Sequence, residues 1–146
     1  MKIKPYVRKA QFYETDQMGI IHHANYVHWM EEARIDFMEQ VDYGYERATQ
    51  VGIDFVLTGI SCDYKSMVRF GDMVSIACKI TALNPILMTV TYVMTDAKTG
   101  QVRCLAESRH CTYDSNKKRP ANLLKALPEL YEILKQHFED TSGEEA

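Results

Sequence analysis

The chain has 146 residues, of which 46% are hydrophobic and 25% are charged, and these values are typical of one globular domain. Its net charge of −3 at pH 7 argues against nucleic acid or an anionic membrane surface as a partner, because both attract basic proteins. No apolar run reaches the roughly 20 residues that a membrane-spanning helix needs.

The first part of the chain predicts one strand followed by a long helix. Residues 6–13 are rich in strand-forming side chains. Between residues 25 and 41, apolar residues recur at steps of three and four, which is helical spacing. Asn25 is the expected N-cap of this helix, and Gly44 is expected to stop it. A short turn or helix is then expected to reach residue 50.

The second part predicts four strands and a C-terminal helix. Alternating and β-branched residues predict the strands, which are expected over residues 55–64, 73–83, 87–95 and 101–113. Asn84-Pro85 is typical of a turn, and "DAKTG" at 96–100 is typical of a hairpin loop. A helix is expected over residues 122–138, and the acidic segment 140–146 is expected to be a disordered tail.

These elements predict an α+β protein. Strands that follow one another through short turns form an antiparallel sheet, here of five or six strands. The long helix must bury its apolar stripe, and the sheet is the one large surface available for this. We therefore expect a single domain over residues 1–139, in which the long helix lies across a curved antiparallel sheet.

The cysteines are expected to be reduced thiols. They are Cys62, Cys78, Cys104 and Cys111, and no two of them have CxxC spacing. This favours packed thiols in a cytoplasmic protein over disulfides or metal ligands. The N-terminal stretch "MKIKPYVRKA" also lacks the apolar core of a secretory signal.

One short stretch concentrates the side chains that could do chemistry. Residues 13–27, "YETDQMGIIHHANYV", hold one aspartate, one glycine and two adjacent histidines. The histidine spacing matches no common metal-ligand pattern, so no metal site is expected. No serine lies in a G-x-S-x-G setting, which argues against a nucleophilic triad.

Two interpretations of Asp16 stay open from this pattern. In the first, Asp16 faces the start of the long helix, whose free N–H groups and dipole favour developing negative charge. The carboxylate would then act as nucleophile or base on a carbonyl group whose oxygen those N–H groups hold. In the second, Asp16 only caps the loop, as aspartate often does. Gly19 is expected to adopt backbone angles that other residues avoid.

The stretch "YETDQMGIIHHANYVHWMEEAR" resembles the opening motif of the 4-hydroxybenzoyl-CoA thioesterase family of hotdog-fold proteins. It is most similar to the small bacterial acyl-CoA thioesterases of that family, whose motif is roughly Y-x-D-T-D-x-x-G-x-V-x-H-x-x-Y followed by an E-x-A-R helix. The matching residues are Thr15, Asp16, Gly19, His23, Tyr26, Glu31, Ala33 and Arg34. Further on, "CDYKSMVRFGD" at 62–72 is similar to the family's Y-x-x-P-x-R-x-G-D turn, with Met67 where a proline is common.

The resemblance covers about residues 6–131 and implies a hotdog fold, in which an antiparallel sheet of five or six strands wraps around a long central helix. It also implies an enzyme that hydrolyses acyl-CoA to free acid and CoA. Asp16 would be the catalytic carboxylate, and the backbone N–H of His23 would hold the thioester oxygen. No cofactor and no metal is implied. The resemblance also implies a homo-oligomer, at least a dimer and more often a tetramer, with active sites at the subunit interface.

Other residues are expected to bind the substrate. The expected contacts are Tyr13, Gly19, Ser61, Lys65 and Arg69, with Ser61 coming from a neighbouring subunit. Residues 117–119, "KKR", would add positive charge for the phosphate groups of CoA. Glu31 and Glu32 are alternative catalytic carboxylates, although Glu31 is expected to pair with Arg34 at i, i+3 on the helix.

Two other functions are considered for the same fold. One is a non-catalytic acyl-CoA-binding module, which the presence of Asp16 disfavours. The other is a dehydratase acting on acyl carrier protein substrates, which the absence of a proline after His22 or His23 disfavours.

Overall fold

The strands form one six-stranded antiparallel sheet in the computed structural model, which describes residues 2–142. They are β1 (Tyr6–Lys9), β2 (Ile53–Tyr64), β3 (Met73–Leu83), β4 (Leu87–Asp96), β5 (Val102–Asp114) and β6 (Arg119–Pro120). Their order in the sheet is β1-β3-β4-β5-β2, and β6 pairs with β5. The predicted α+β class and antiparallel sheet are confirmed.

Within residues 2–142, four helices accompany the sheet. They are α1 (Asn25–Gln40), α2 (Tyr45–Thr49), α3 (Leu123–Ala126) and α4 (Pro128–Ser142). A 3-10 turn, Phe12–Glu14, precedes α1. The segment predicted to be a disordered tail begins inside α4, and its residues 143–146 lie outside the described residues.

Two predicted elements are wrong in extent. The strand expected over residues 6–13 ends at Lys9, because the backbone N–H of Gln11 donates to Glu14 Oε1 (2.9 Å) and turns the chain. The single helix expected over residues 122–138 is split between α3 and α4. Pro128 has no N–H to continue the first helix, and Leu127 before it adopts φ −139° and ψ 72°.

The ends of α1 also differ from the predictions. Asn25 is the first helical residue and not the N-cap, and its side-chain amide donates to the carbonyl oxygen of Glu14 (2.8 Å). The chain leaves the helix at Asp42 and not at Gly44. Asp42 has φ 58°, which aspartate tolerates better than most residues, and the N–H of Tyr43 donates to the Met38 carbonyl (2.9 Å).

The described chain forms two compact units, and the first carries the candidate site. This unit takes in residues up to Phe37, Cys62–Cys78 and Tyr92–Ala106. Within it the apolar stripe of α1 is buried, with Trp29 and Met30 fully inaccessible to solvent. Met30 Sδ lies 3.9 Å from Cys62 Sγ of β2, and Arg34 donates to the Tyr92 hydroxyl of β4 (3.0 Å). In this unit the helix therefore packs on the sheet, as predicted.

The second unit has its own core. It comprises Met38–Ser61, Lys79–Thr91 and the residues from Glu107 onwards. Leu123 of α3 and Leu130 and Leu134 of α4 are buried there. Ser108 and His110 of β5 are buried polar residues of the same unit, joined by a 2.8 Å hydrogen bond. Within residues 2–142, no helix combines the length and the apolar character needed to cross a membrane.

Candidate active site

Asp16 lies at the base of a tight loop between the 3-10 turn and α1. Thr15 and Ile21 pair in antiparallel fashion, and the N–H of Asp16 donates to the Ile20 carbonyl (2.8 Å). The N–H of Gly19 donates back to the Asp16 carbonyl (3.0 Å), and Gly19 has φ 78°. The unusual backbone angle predicted for Gly19 is therefore confirmed, and the loop needs a glycine here because other residues are strained at this φ.

The Asp16 carboxylate is half-buried and has one oxygen engaged. Oδ1 accepts the backbone N–H of Met18 (2.8 Å), which caps the loop. Within the described part of the chain, Oδ2 has no hydrogen-bond partner. The loop-capping interpretation of Asp16 is thus observed, and it leaves the second oxygen open for chemistry.

The start of α1 presents the N–H group of His23. The N–H of Ala24 donates to His22 Nδ1 (3.1 Å), and the N–H groups of Asn25 and Tyr26 donate to the carbonyls of His22 and His23. For the backbone N–H of His23, no acceptor is found among residues 2–142. It is therefore a free donor at the positive end of the helix dipole.

The buried side chain of Glu14 anchors this region. Only 4% of the residue is exposed. Its Oε1 accepts from Arg8 Nη2 (2.8 Å) and from the N–H of Gln11 (2.9 Å), and its Oε2 accepts from Trp29 Nε1 (2.8 Å). The sequence analysis did not predict this role. The only signal in the sequence is that an acidic residue precedes Thr15, and this does not reveal that its side chain is buried. Burial of a carboxylate is tolerated here because several donors compensate it, one of them charged.

The main chain of Glu14 connects the loop to α1. Its carbonyl oxygen accepts the N–H of His22 (2.9 Å) and the side-chain amide of Asn25 (2.8 Å). Glu14, which precedes the Asp16 loop, therefore holds His22, which precedes His23. Asp16 and the His23 N–H are therefore held by one hydrogen-bonded framework, which the buried side chain of Glu14 anchors.

The turn after β2 packs beside the same loop. Ile20 pairs with Arg69 in antiparallel fashion, and the N–H of Ile21 donates to the Val68 carbonyl (2.8 Å). The carboxylate of Asp72 accepts the N–H of Arg69 (2.9 Å) and fixes the turn. The structure thus brings Arg69 next to the Asp16 loop, with an exposed guanidinium that forms no ion pair within the described range.

The other predicted contact residues are less closely linked to Asp16. Tyr13 is 81% exposed, and Lys65 Nζ pairs with Asp63 (2.8 Å). Among the described residues, no hydrogen bond or ion pair joins Tyr13 or Lys65 to Asp16. Ser61 is an exposed residue of β2 in the second unit. Lys117 and Lys118 lie in the exposed β5–β6 turn of that unit, and Arg119 is the first residue of β6.

Glu31 and Glu32, the two alternative carboxylates on α1, have different surroundings. Glu31 is exposed and makes no ion pair with residues 2–142, so its predicted pairing with Arg34 is wrong. Glu32 accepts from Arg8 Nη1 (2.9 Å) and from the Tyr6 hydroxyl (2.9 Å). Burial, together with this hydrogen bond to Glu32, raises the pKa of Tyr6 to about 12. Glu32 therefore extends the Glu14–Arg8 network.

A tyrosine supports the start of α1 from the sheet. The Tyr64 hydroxyl donates to the His23 carbonyl (3.1 Å), and its ring packs edge-on to Tyr26 at 5.0 Å between centroids. Burial is the main cause that raises the pKa of Tyr64 and of Tyr26 to about 12. Both hydroxyls stay protonated at neutral pH, so Tyr64 acts as a permanent donor.

Two of the thiols stay protonated, and the two histidines of the loop stack on each other. All four cysteines are free, and burial raises the pKa of Cys78 and Cys104 to about 12, so these two stay protonated. The exposed rings of His22 and His23 stack at 4.1 Å. In the described ranges, no three His, Cys, Asp or Glu side chains come together in a way that could hold a metal ion.

Comparison with known proteins identifies the family. Residues 10–132 match the thioesterase-like superfamily. A protein of Aquifex aeolicus, provisionally named an esterase, is 29% identical over 130 residues, which cover 89% of this chain and 96% of that protein. Acyl-CoA thioester hydrolase YbgC of Escherichia coli O157:H7 is 24% identical over 90 residues, covering 62% of this chain and 67% of that protein.

A solved structure confirms the fold. The DHNA-CoA thioesterase of Staphylococcus aureus superposes with a TM-score of 0.91 at 20% identity, covering 98% of this chain and 95% of that one. The predicted hotdog fold is thereby confirmed. The chain belongs to the thioesterase-like superfamily and is an enzyme of thioester hydrolysis.

Proposed function

We propose that the protein hydrolyses acyl-CoA thioesters to a free acid and CoA, with Asp16 and the His23 N–H as the catalytic groups. One observation carries this proposal: a carboxylate oxygen and a backbone N–H, both without partners in the described chain, are held on the framework built on Glu14. The name of the relative YbgC, an acyl-CoA thioester hydrolase, supports the choice of substrate.

The proposed reaction needs few groups, because a thioester carbonyl is already electrophilic. The His23 N–H donates to the carbonyl oxygen and stabilises the negative charge that develops there. Asp16 either attacks the carbonyl carbon, giving a mixed anhydride that water hydrolyses, or removes a proton from an attacking water. In both routes the C–S bond breaks, and the thiolate of CoA leaves and takes up a proton. A general base contributes roughly 10²- to 10⁴-fold and one such donor about 10²- to 10³-fold.

Side chains around the loop suit the two ends of the substrate. Arg69 offers an exposed cation for a phosphate of CoA, and Lys65 is a second candidate. Phe12, Tyr13 and Met18 are 72%, 81% and 71% exposed, an unusual exposure for large apolar side chains. They offer an apolar surface beside Asp16 for the acyl group. Gly19 leaves space at the loop, since nothing lies within 4 Å of where its Cβ would be.

The active enzyme is proposed to be a homo-oligomer, which is at least a dimer and for which we favour a tetramer. The strand β2 ends the sheet and is 12 residues long, whereas β1 at the opposite edge has only four. A long edge strand presents unpaired N–H and C=O groups that a second copy can pair with. Such pairing would also bring in Ser61 from the neighbouring subunit. A cytoplasmic location is proposed because the thiols are free and acyl-CoA is an intracellular substrate.

The test is the variant Asp16→Asn, assayed by thiol release from a panel of acyl-CoA substrates. Asparagine retains an oxygen that can accept the Met18 N–H, so the loop is kept while the charge is lost. We expect kcat to fall by at least about 10²-fold with an unchanged melting temperature.

Asp42→Asn is the matched control, because Asp42 is exposed, lies in the second unit and has a φ of 58° that asparagine tolerates. Turnover by Asp16→Asn close to that of Asp42→Asn would remove Asp16 from the mechanism. CoA binding without any thiol release by the wild-type protein would instead indicate the non-catalytic binding module.

A further inference from the structure

The main chain around His23 is restrained more firmly on one side of that residue than on the other. Before it, the N–H of His22 donates to the Glu14 carbonyl (2.9 Å), and the His22 carbonyl accepts the N–H of Asn25 (3.0 Å). After it, the carbonyl of His23 accepts the N–H of Tyr26 at 3.4 Å, which is longer than the roughly 2.7–3.2 Å of most such bonds. The helix alone therefore holds the His23 carbonyl weakly.

The hydroxyl of Tyr64 adds a restraint to this carbonyl from another part of the first unit. It donates to the His23 oxygen at 3.1 Å, and the two residues are 41 positions apart in the chain. Tyr64 is the last residue of β2, so the bond reaches the start of the helix from the sheet. Two backbone dihedral angles separate the carbonyl of a residue from its own N–H. Because the Tyr64 bond restricts the His23 carbonyl, it also restricts the directions that the His23 N–H can take.

Tyr64 is itself firmly held. The backbone N–H groups of Lys65 and Ser66, the two residues that follow it, both donate to the Arg103 carbonyl of β5 (2.9 and 3.2 Å). The Arg103 side chain is only 13% exposed, and its Nη1 donates to the Ser66 hydroxyl (3.2 Å). The ring of Tyr64 packs edge-on to Tyr26, with 5.0 Å between the centroids. The strand end and the ring are thus both fixed, and the hydroxyl is kept at the His23 carbonyl.

We propose that Tyr64 is a positioning residue of the thioesterase reaction, and that it directs the backbone N–H of His23 towards the carbonyl oxygen of the substrate. This inference rests on the proposed function, because it takes the His23 N–H as the donor that stabilises the developing negative charge. Tyr64 acts through the main chain of His23 and not on the reacting atoms. The direction of the donor matters most in the transition state, since the charge on the oxygen is largest there.

The experiment uses the full chain and the variant Tyr64→Phe, which removes the hydroxyl and keeps the ring. Tyr131→Phe is the matched control, because Tyr131 is a half-buried tyrosine of α4 whose hydroxyl makes no hydrogen bond with residues 2–142. Steady-state kinetics compares an acyl-CoA with an analogue in which sulfur replaces the carbonyl oxygen. Sulfur is a weak hydrogen-bond acceptor, so hydrolysis of the analogue depends little on the direction of an N–H donor.

We expect Tyr64→Phe to lower kcat for the acyl-CoA about tenfold, because loss of a whole donor costs about 10²- to 10³-fold and a misdirected donor loses part of that. The KM should stay within about twofold of the control value, since the lost interaction belongs to the transition state. With the sulfur analogue, kcat should fall less than about threefold. In nuclear magnetic resonance, the order parameter of the His23 amide should fall in Tyr64→Phe and stay unchanged in Tyr131→Phe.

Three results would overturn the positioning role. They are a kcat of Tyr64→Phe equal to that of Tyr131→Phe, equal losses with the acyl-CoA and its sulfur analogue, and an unchanged order parameter of the His23 amide. Equal losses with both substrates would indicate that the hydroxyl only stabilises the fold. In each of these cases an active wild-type enzyme would leave the proposed function intact. A wild-type protein that hydrolyses no acyl-CoA would instead refute the proposed function, and the role of Tyr64 with it.

Discussion

Replacing Glu14 by glutamine should destabilise the protein strongly, because the carboxylate compensates several buried donors. A glutamine side chain has one oxygen where the carboxylate has two, and its NH₂ group would face either the Trp29 indole N–H or the donors on Oε1. The side chains of Arg8 and Glu14 are only 11% and 5% exposed. Breaking a buried charge pair typically costs roughly 3–5 kcal/mol.

The cost should lie at the low end of that range, because Glu32 continues to pair with Arg8. We expect the free energy of unfolding to fall by about 3 kcal/mol, which corresponds to a Tm lower by roughly 6–12 °C for a chain of this size. Denaturant titration and thermal scans, both at one fixed protein concentration, measure these changes.

Glu31→Gln is the matched control for this prediction, since Glu31 is an exposed glutamate of α1 that makes no ion pair with residues 2–142. Its free energy of unfolding should stay within about 0.5 kcal/mol of the wild-type value. If Glu14→Gln were as stable as Glu31→Gln, the buried network would not anchor the loop as we infer.

Three further predictions concern pH, metals and assembly. Hydrogen bonds from the N–H groups of Thr99 and Lys98 and from Arg103 lower the pKa of Asp96 from 3.8 to about 2. The lowered pKa stabilises the folded state above pH 3.8, and this stabilisation is lost as pH falls towards about 2. Over that pH range the free energy of unfolding of Asp96→Asn should therefore change less than that of the wild type. Parallel plots of unfolding free energy against pH for the two proteins would contradict this. EDTA should leave the thioesterase activity unchanged. A loss of activity in EDTA that a divalent ion restores would instead indicate a metal-dependent mechanism. Light scattering should give at least twice the monomer mass of 16.9 kDa, whereas a fully active monomer would contradict both the assembly and the shared site.

The long elements were predictable from the sequence, because their patterns repeat many times. The strand β3 has the predicted bounds, and its alternating residues Val74, Ile76 and Ile80 are buried. The ends of helices were less predictable, because a single contact decides each of them. The exit from α1 at Asp42 depends on a bond from Tyr43 to Met38 that no periodicity encodes.

The candidate site was predictable only where it is local. The loop from Asp16 to Gly19 follows from turn chemistry within four residues, and the structure has that turn. The role of Glu14 depends on Arg8 and on Trp29, which lies 15 residues further along the chain. Which buried donors surround a carboxylate is decided by tertiary packing. The sequence therefore indicated the loop and not the residue that holds it.

The Asp16 loop is anchored by the buried side chain of Glu14, whereas the large apolar side chains around it are exposed. This difference in burial matters for protein engineering. Phe12, Tyr13 and Met18 are each more than two-thirds exposed, so replacing them removes little buried surface and should change stability by less than about 0.5 kcal/mol. A combinatorial library at these three positions could therefore be screened for altered acyl preference without first stabilising the scaffold. The same library at the buried Glu14 or Trp29 would consist mainly of destabilised clones.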